Sequence, residues 1–194
     1  DFNLNVTASG NSVKRWMDTL NGSARFNVLE GALIGVNLEQ QMCQAIALVN
    51  RKTLAEPRGS QDTPFSSLGG SFRITNGTVS GEDLVMAIPG IGVKGRGKIE
   101  LPQQRMDYRL GLLIKGDQSA MPDPACVVNE RYIAVEWPVR CQGFLHNAAS
   151  SCAVDTDGVK SIAGQLLGSE AQRKVEEKLE EKLGDQAPAV RDAI

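Results

Sequence analysis

Few residues in this sequence are suited to catalysis, and they stand far apart. His146 is the only histidine, and no G-x-S-x-G segment offers a nucleophile for it. The glycines of 90–95 match G-x-G-x-x-G, but a strand pattern follows them, whereas a dinucleotide-binding loop must open a helix. The acidic pairs 82–83 and 155–157 would act as acid and base only if the fold brought them together. The sequence therefore predicts no catalytic residues and no enzyme.

The same inventory predicts no metal site, no cofactor and no nucleic-acid partner. Neither H-x-x-x-H nor C-x-x-C occurs, and 155–158 lacks the rest of a calcium-binding loop. The 21 Lys and Arg residues are balanced by 23 Asp and Glu residues, which gives a formal net charge of −2. A general nucleic-acid binder would carry a basic excess to neutralise phosphates.

The cysteines, Cys43, Cys126, Cys141 and Cys152, leave two interpretations open. They are buried thiols in a reducing compartment, or at least one pair is bridged in an oxidising one. A bridge from Cys126 to Cys141, or from Cys141 to Cys152, would close a short loop and contribute about 3 kcal/mol. Spacing does not fix the pairing, so all four are disulfide candidates.

Strand patterns dominate the elements that would position these residues. Alternation of apolar and polar residues predicts strands at 2–8, 72–74, 84–88, 91–101, 106–114 and 133–141, and a hairpin joining 24–28 to 34–38. Amphipathic spacing predicts helices near 13–20 and 39–50 and a C-terminal helix from about Val159 to Leu183. The predicted fold class is α+β, a mostly antiparallel curved meander with one apolar face, two short helices and a C-terminal helix. Residues 1–157 form the β-rich domain, and 158–194 are its C-terminal helical segment.

The apolar sheet face is the strongest candidate for a binding surface. Six or seven strands contribute to it, whereas only about three helices are available to cover it. Either the helices bury it as an ordinary core, or part of it stays open to bind acyl chains or another copy of the sheet. The candidate lining residues are taken from parity alone, that is, from the alternation of side chains between the two faces of a strand. They are Ile91, Val93, Ile99, Leu101, Met106, Tyr108, Leu110, Leu112 and Ile114.

No segment approaches the roughly 18 apolar residues that cross a bilayer, and the first residues do not read as a signal peptide. We therefore expect any membrane anchor or export signal to lie outside these 194 residues.

Several strand-and-turn phrases follow one another along the chain. They are Phe26-x-Val28-x-x-Gly31-Ala32-Leu33-x-Gly35-Val36-Asn37-Leu38, Thr63-Pro64-Phe65-Ser66-Ser67-Leu68, Phe72-x-Ile74-x-Asn76-Gly77, Gly95-x-Gly97-x-Ile99-x-Leu101, Met106-Asp107-Tyr108-x-Leu110, Trp137-Pro138-Val139 and Gly143. In order and spacing these phrases resemble the C-terminal region of the AsmA family, and the resemblance spans roughly 1–157.

The resemblance implies a periplasmic domain of an inner-membrane-anchored protein that takes part in phospholipid transport and outer-membrane assembly. AsmA-like proteins are similar to bridge-like lipid-transfer proteins, whose long sheet presents an apolar groove to acyl chains. The implied partners are phospholipid, the inner membrane through an anchor elsewhere, and an outer-membrane or envelope protein. The periplasm would favour disulfides, and the family offers no catalytic residues to carry over. The alternative hypothesis is a structural capping or docking module that binds a membrane or protein partner through the C-terminal helix.

Overall fold

The computed structural model describes residues 1–54, 61–115, 126 and 130–168. The chain divides into two compact units, Asp1–Val159 and Lys160–Ile194. The sequence placed the end of the β-rich part at 157, two residues earlier.

The first unit is built on an open antiparallel sheet in which each strand pairs with the next along the chain. Within the described residues there are eight strands: β1 (Phe2–Thr7), β2 (Asn21–Leu33), β3 (Thr63–Thr75), β4 (Thr78–Ile88), β5 (Ile91–Glu100), β6 (Arg105–Ile114), β7 (Glu136–Phe144) and β8 (Cys152–Val154). The predicted fold class, an antiparallel meander of the α+β type, is confirmed.

Two short helices interrupt the meander, and each begins where a polar side chain caps it. The Arg15 backbone N–H donates to Ser12 Oγ (3.3 Å) at the start of α1 (Val13–Asp18). The Gln40 N–H donates to Asn37 Oδ1 (2.9 Å) at the start of α2 (Leu38–Val49). A third helix, α3, begins at residue 156 and is described as far as 168; the rest of the predicted 159–183 helix lies outside the described residues.

Two strand predictions were wrong. The hairpin between 24–28 and 34–38 does not form, because β2 continues to Leu33 and the next residues cap and begin α2. The partner of β2 is β3, which the chain reaches only after that helix. Ile133 and Val135 precede β7 instead of belonging to it, so their alternation with Trp137 did not indicate a strand.

Cross-strand register places most of the apolar side chains of the eight strands on one face. Directly paired residues project to the same side, and successive pairs link Phe2 to Phe26, Ala24 to Phe72, Met86 to Val93, Val93 to Leu112 and Leu112 to Trp137. We call this the apolar face and the opposite side the polar face. A bulge in β4 between Gly81 and Leu84 keeps this alternation in step with β5.

Helix α2 covers only part of the apolar face. It packs against β7 and β8, and its side chains Leu38, Met42 and Ile46 are fully buried. The core beneath this cover includes Leu112 and Trp137, both 0% exposed. By contrast α1 has no buried residue. The apolar face therefore has a covered part toward β8 and an uncovered part toward β1.

Candidate functional site

The uncovered part of the apolar face is a strip of large apolar side chains on the first three strands. We call Phe2, Leu4, Phe26, Val28, Leu68 and Phe72 the open strip. Phe2 is 70% exposed, Leu4 52% and Val28 42%. The rings of Phe26 and Phe72 stack with centroids 5.6 Å apart. Apolar side chains this exposed and contiguous are typical of a binding surface.

The sequence predicted the strands of the open strip but not that their apolar side chains stay exposed. Residues 2–8 and 24–28 alternate as clearly as the later strands do, yet parity cannot show which part of a face a distant helix will cover.

Eight of the nine predicted lining residues lie on the apolar face, and Leu101 lies in the turn after β5. They differ in burial. Ile99, Leu101, Met106 and Leu110 are half-buried, and the others belong to the core: Ile91, Val93, Tyr108, Leu112 and Ile114. Contact of these residues with a lipid stays a prediction.

The glycines that match G-x-G-x-x-G serve close packing. Gly90 lies in the β4–β5 turn, and Gly92 and Gly95 lie in strand β5, so no helix follows them. A Cβ at Gly95 would stand 2.6 Å from Leu84 Cδ2 and 3.1 Å from Tyr108 Cε1, and one at Gly81 would overlap the ring of Phe72. Glycine therefore lets Leu84 and the two aromatic rings lie flat against the sheet.

Tyr108 places the only hydroxyl among the predicted lining residues inside this apolar surface. It is 9% exposed, and its Oη has no hydrogen-bond partner among the described residues. The pKa of the Tyr108 phenol is raised to about 12. Burial is the largest cause, and the nearby carboxylates Asp83 and Glu82 add smaller contributions. The phenol therefore stays neutral at ordinary pH.

All four cysteines form disulfides, so the disulfide candidates are confirmed. Cys43 of α2 bonds to Cys126, and Cys141 of β7 bonds to Cys152 of β8. The pairing of Cys126 with Cys141 is therefore excluded. One bond anchors the covering helix and the other ties the last strand to the sheet.

The remaining candidates for chemistry have structural roles. His146 is exposed and stacks on Phe144 with ring centroids 5.5 Å apart. Asp83 accepts hydrogen bonds from the Ser71 backbone N–H (2.8 Å) and hydroxyl (2.6 Å), which lower the pKa of its carboxyl. Asp155 accepts from the Gly158 N–H (3.2 Å) at the start of α3. In the described part of the chain, no group of three or more His, Cys, Asp or Glu side chains could hold a metal.

A search of the described residues for a helix long and apolar enough to cross a membrane finds none.

The sequence model of the AsmA family matches residues 1–84, which cover β1 to β3, both short helices and the first part of β4. This match confirms the resemblance over that stretch and supports assignment to the AsmA family. The match includes every residue of the open strip. The resemblance at 85–157 stays a prediction. Comparisons with curated proteins and with solved structures found no match.

Proposed function

We propose that this chain is a non-enzymatic periplasmic domain of an inner-membrane-anchored AsmA-like protein, and that its apolar face contacts phospholipid acyl chains. The domain then takes part in phospholipid transport and outer-membrane assembly. The observation that carries the proposal is the open strip, an apolar surface that α1 and α2 leave uncovered. The family match, which spans that strip, supports the envelope setting.

An acyl chain is the occupant whose chemistry suits this surface. Each methylene that leaves water for an apolar surface gains about 0.8 kcal/mol, and a sheet face binds it without directional hydrogen bonds. The strip continues into half-buried Ile99, Met106 and Leu110 on β5 and β6. A chain lying across the sheet would therefore meet apolar side chains on each strand from β1 to β6, while its headgroup stays in water.

The test is lipid occupancy of the intact chain after purification without detergent. The 194-residue chain is exported to the periplasm, analysed by native mass spectrometry and extracted for lipid. We expect co-purified phospholipid at near one molecule per chain. A stable, folded chain without lipid would contradict the proposal and favour the capping or docking module.

Two neighbouring substitutions on β2 test the location of the lipid. Val28 lies on the apolar face and is 42% exposed, whereas Leu29 is 69% exposed and projects to the polar face. Val28→Glu should abolish lipid occupancy and reduce vesicle-to-vesicle transfer of a fluorescent phospholipid. Leu29→Glu, with the same change in charge on the next residue, should leave both unchanged. Equal effects of the two substitutions would show that lipid does not bind the apolar face.

A further inference from the structure

The polar face carries a cluster of basic side chains on three adjacent strands. We call this cluster the basic patch: Lys94, Arg96 and Lys98 of β5, Arg105 and Arg109 of β6, and Arg140 of β7. All are exposed except Arg140, which is half-buried. Strands lie about 4.8 Å apart, so the patch is a compact array rather than a scatter of surface charges.

Three arginines face one another directly across this array. Arg96 pairs with Arg109 on the neighbouring strand, and Arg109 pairs with Arg140 on the next. Like charges directly opposite each other destabilise a sheet, so the Arg96–Arg109 pair opposes folding unless an anion lies over it. The row is therefore better explained by binding than by stability.

Few of these cations are neutralised within the protein. Arg140 makes a two-point ion pair with Asp107 (2.8 and 3.1 Å), and Lys98 bonds to Glu100 (2.8 Å). Among the described residues, Lys94, Arg96 and Arg109 make no ion pair.

Two of the carboxylates nearest to the row are already engaged, Asp107 by Arg140 and Asp83 by Ser71. The bulge opposite Arg96 carries Glu82 and Asp83, and Asp83 is held by Ser71. Glu136 lies over Gly111, where a Cβ would meet its carboxylate. With Glu82, Asp83, Glu100, Asp107 and Glu136 counted against the six basic side chains, the patch carries 6 − 5 = +1, in a chain whose formal net charge is −2. The patch is therefore a positive region on a chain of negative net charge.

We propose that the basic patch docks on the phosphate headgroups of an anionic lipid bilayer. Exposed guanidinium groups bind phosphate oxygens by paired hydrogen bonds. Two exposed apolar side chains flank the cations: Val85 (54% exposed) pairs with Lys94, and Phe144 (49% exposed) lies under the guanidinium of Arg105, 5.4 Å from its centre. Basic groups mixed with exposed apolar ones suit a lipid interface better than an acidic protein segment.

The docking surface and the open strip lie on opposite faces of the same sheet. Binding to a bilayer through the basic patch leaves the open strip uncovered. The inference does not depend on lipid occupancy of the apolar face, so each proposal can fail without the other.

Vesicle flotation of the full 194-residue chain tests the proposal. Vesicles of phosphatidylglycerol and phosphatidylcholine in equal parts are compared with vesicles of phosphatidylcholine alone. We expect binding to the anionic vesicles only, weakening as salt screens the charges. The double variant Arg96→Gln/Arg109→Gln should bind about thirtyfold more weakly, since each basic residue near an anionic surface contributes roughly a factor of five.

The matched control removes the same charge elsewhere on the polar face. Arg25 of β2 and Arg73 of β3 are exposed arginines outside the basic patch, and Arg25→Gln/Arg73→Gln should keep its binding. Within the basic patch, the single substitution Lys94→Gln, at an exposed residue, should weaken binding about fivefold. Thermal unfolding of each variant confirms that the sheet is intact.

Three outcomes would overturn the proposal. The first is no binding of the unmodified chain to anionic vesicles, and the second is equal loss in the two double variants, which would mean an effect of net charge alone. The third is binding to polyglutamate as tight as to anionic vesicles at the same ionic strength, which would indicate an acidic protein partner.

Discussion

Tyr108 is the most informative single residue in this sheet, because its hydroxyl is buried in an apolar surface. Tyr108 lies against Gly81 and Gly95, and its Oη has no partner among the described residues. A buried polar group without a partner loses its hydrogen bonds to water and gains none in exchange, at a cost of about 1–3 kcal/mol. The ring of Tyr108 is therefore the part that stabilises the protein.

Tyr108→Phe should leave the free energy of unfolding within about 0.5 kcal/mol of the unmodified protein, or raise it, because the substitution removes only the unpaired hydroxyl. Urea unfolding followed by circular dichroism measures the change. A loss of more than about 1 kcal/mol would show that the hydroxyl has a partner.

Tyr132→Phe is the matched control for that substitution. The Tyr132 hydroxyl donates to Asn50 Oδ1 at 2.5 Å, and its ring meets Trp137 edge-on with centroids 5.4 Å apart. Removing this hydroxyl should cost about 1 kcal/mol, the usual net value of a satisfied hydrogen bond. Replacing tyrosine by phenylalanine should therefore lower the free energy of unfolding at Tyr132 but not at Tyr108, the two tyrosines of the chain.

Helix α2 is the element that divides the covered core from the open strip, and it is held at its N-terminus and near its middle. At its N-terminus the Leu38 N–H donates to the Thr63 hydroxyl (2.9 Å), which in turn donates to the Val36 carbonyl (2.5 Å). Along its length Cys43 is bonded to Cys126. The helix connects β2 and β3 in sequence but packs on β7 and β8.

The two disulfides should therefore contribute unequally to stability. Cys43 and Cys126 are 83 residues apart and Cys141 and Cys152 only 11, so loss of loop-closure entropy predicts about 4.5 and about 3 kcal/mol respectively. Cys43→Ala/Cys126→Ala should also loosen α2 and increase the binding of a hydrophobic dye. Cys141→Ala/Cys152→Ala is the control, and equal losses of unfolding free energy would show that loop length does not set the difference.

Sequence patterns predicted the sheet better than they predicted its cover. Alternation is a local property, so the strands from β4 to β6 and their shared face could be predicted from parity. The segment 34–38 shows the limit, since its alternation suited a strand while Asn37 was available to cap a helix. The part of the apolar face that is covered depends on where α2 packs, against β7 and β8, across a long sequence separation that one sequence does not reveal.

At the scale of the whole molecule, one sheet separates two surfaces of opposite chemistry. The open strip on one face suits acyl chains, and the basic patch on the other suits phosphate. Both belong to the unit Asp1–Val159, which also contains every strand described and both disulfides. We therefore expect this unit to carry both proposed activities.

A chain that ends at residue 168 tests this expectation against the docking module, which would use the C-terminal helix. Its unfolding temperature should stay within about 2 °C of the full chain, since a shift of that size corresponds to less than about 1 kcal/mol, and it should keep its co-purified phospholipid. The matched deletion is a chain that begins at Gly10 and lacks β1. It removes Phe2 and Leu4 from the open strip, so lipid occupancy should fall. The opposite result would contradict this expectation. If the chain that ends at 168 lost its lipid and the chain without β1 kept it, the binding function would lie in the C-terminal segment.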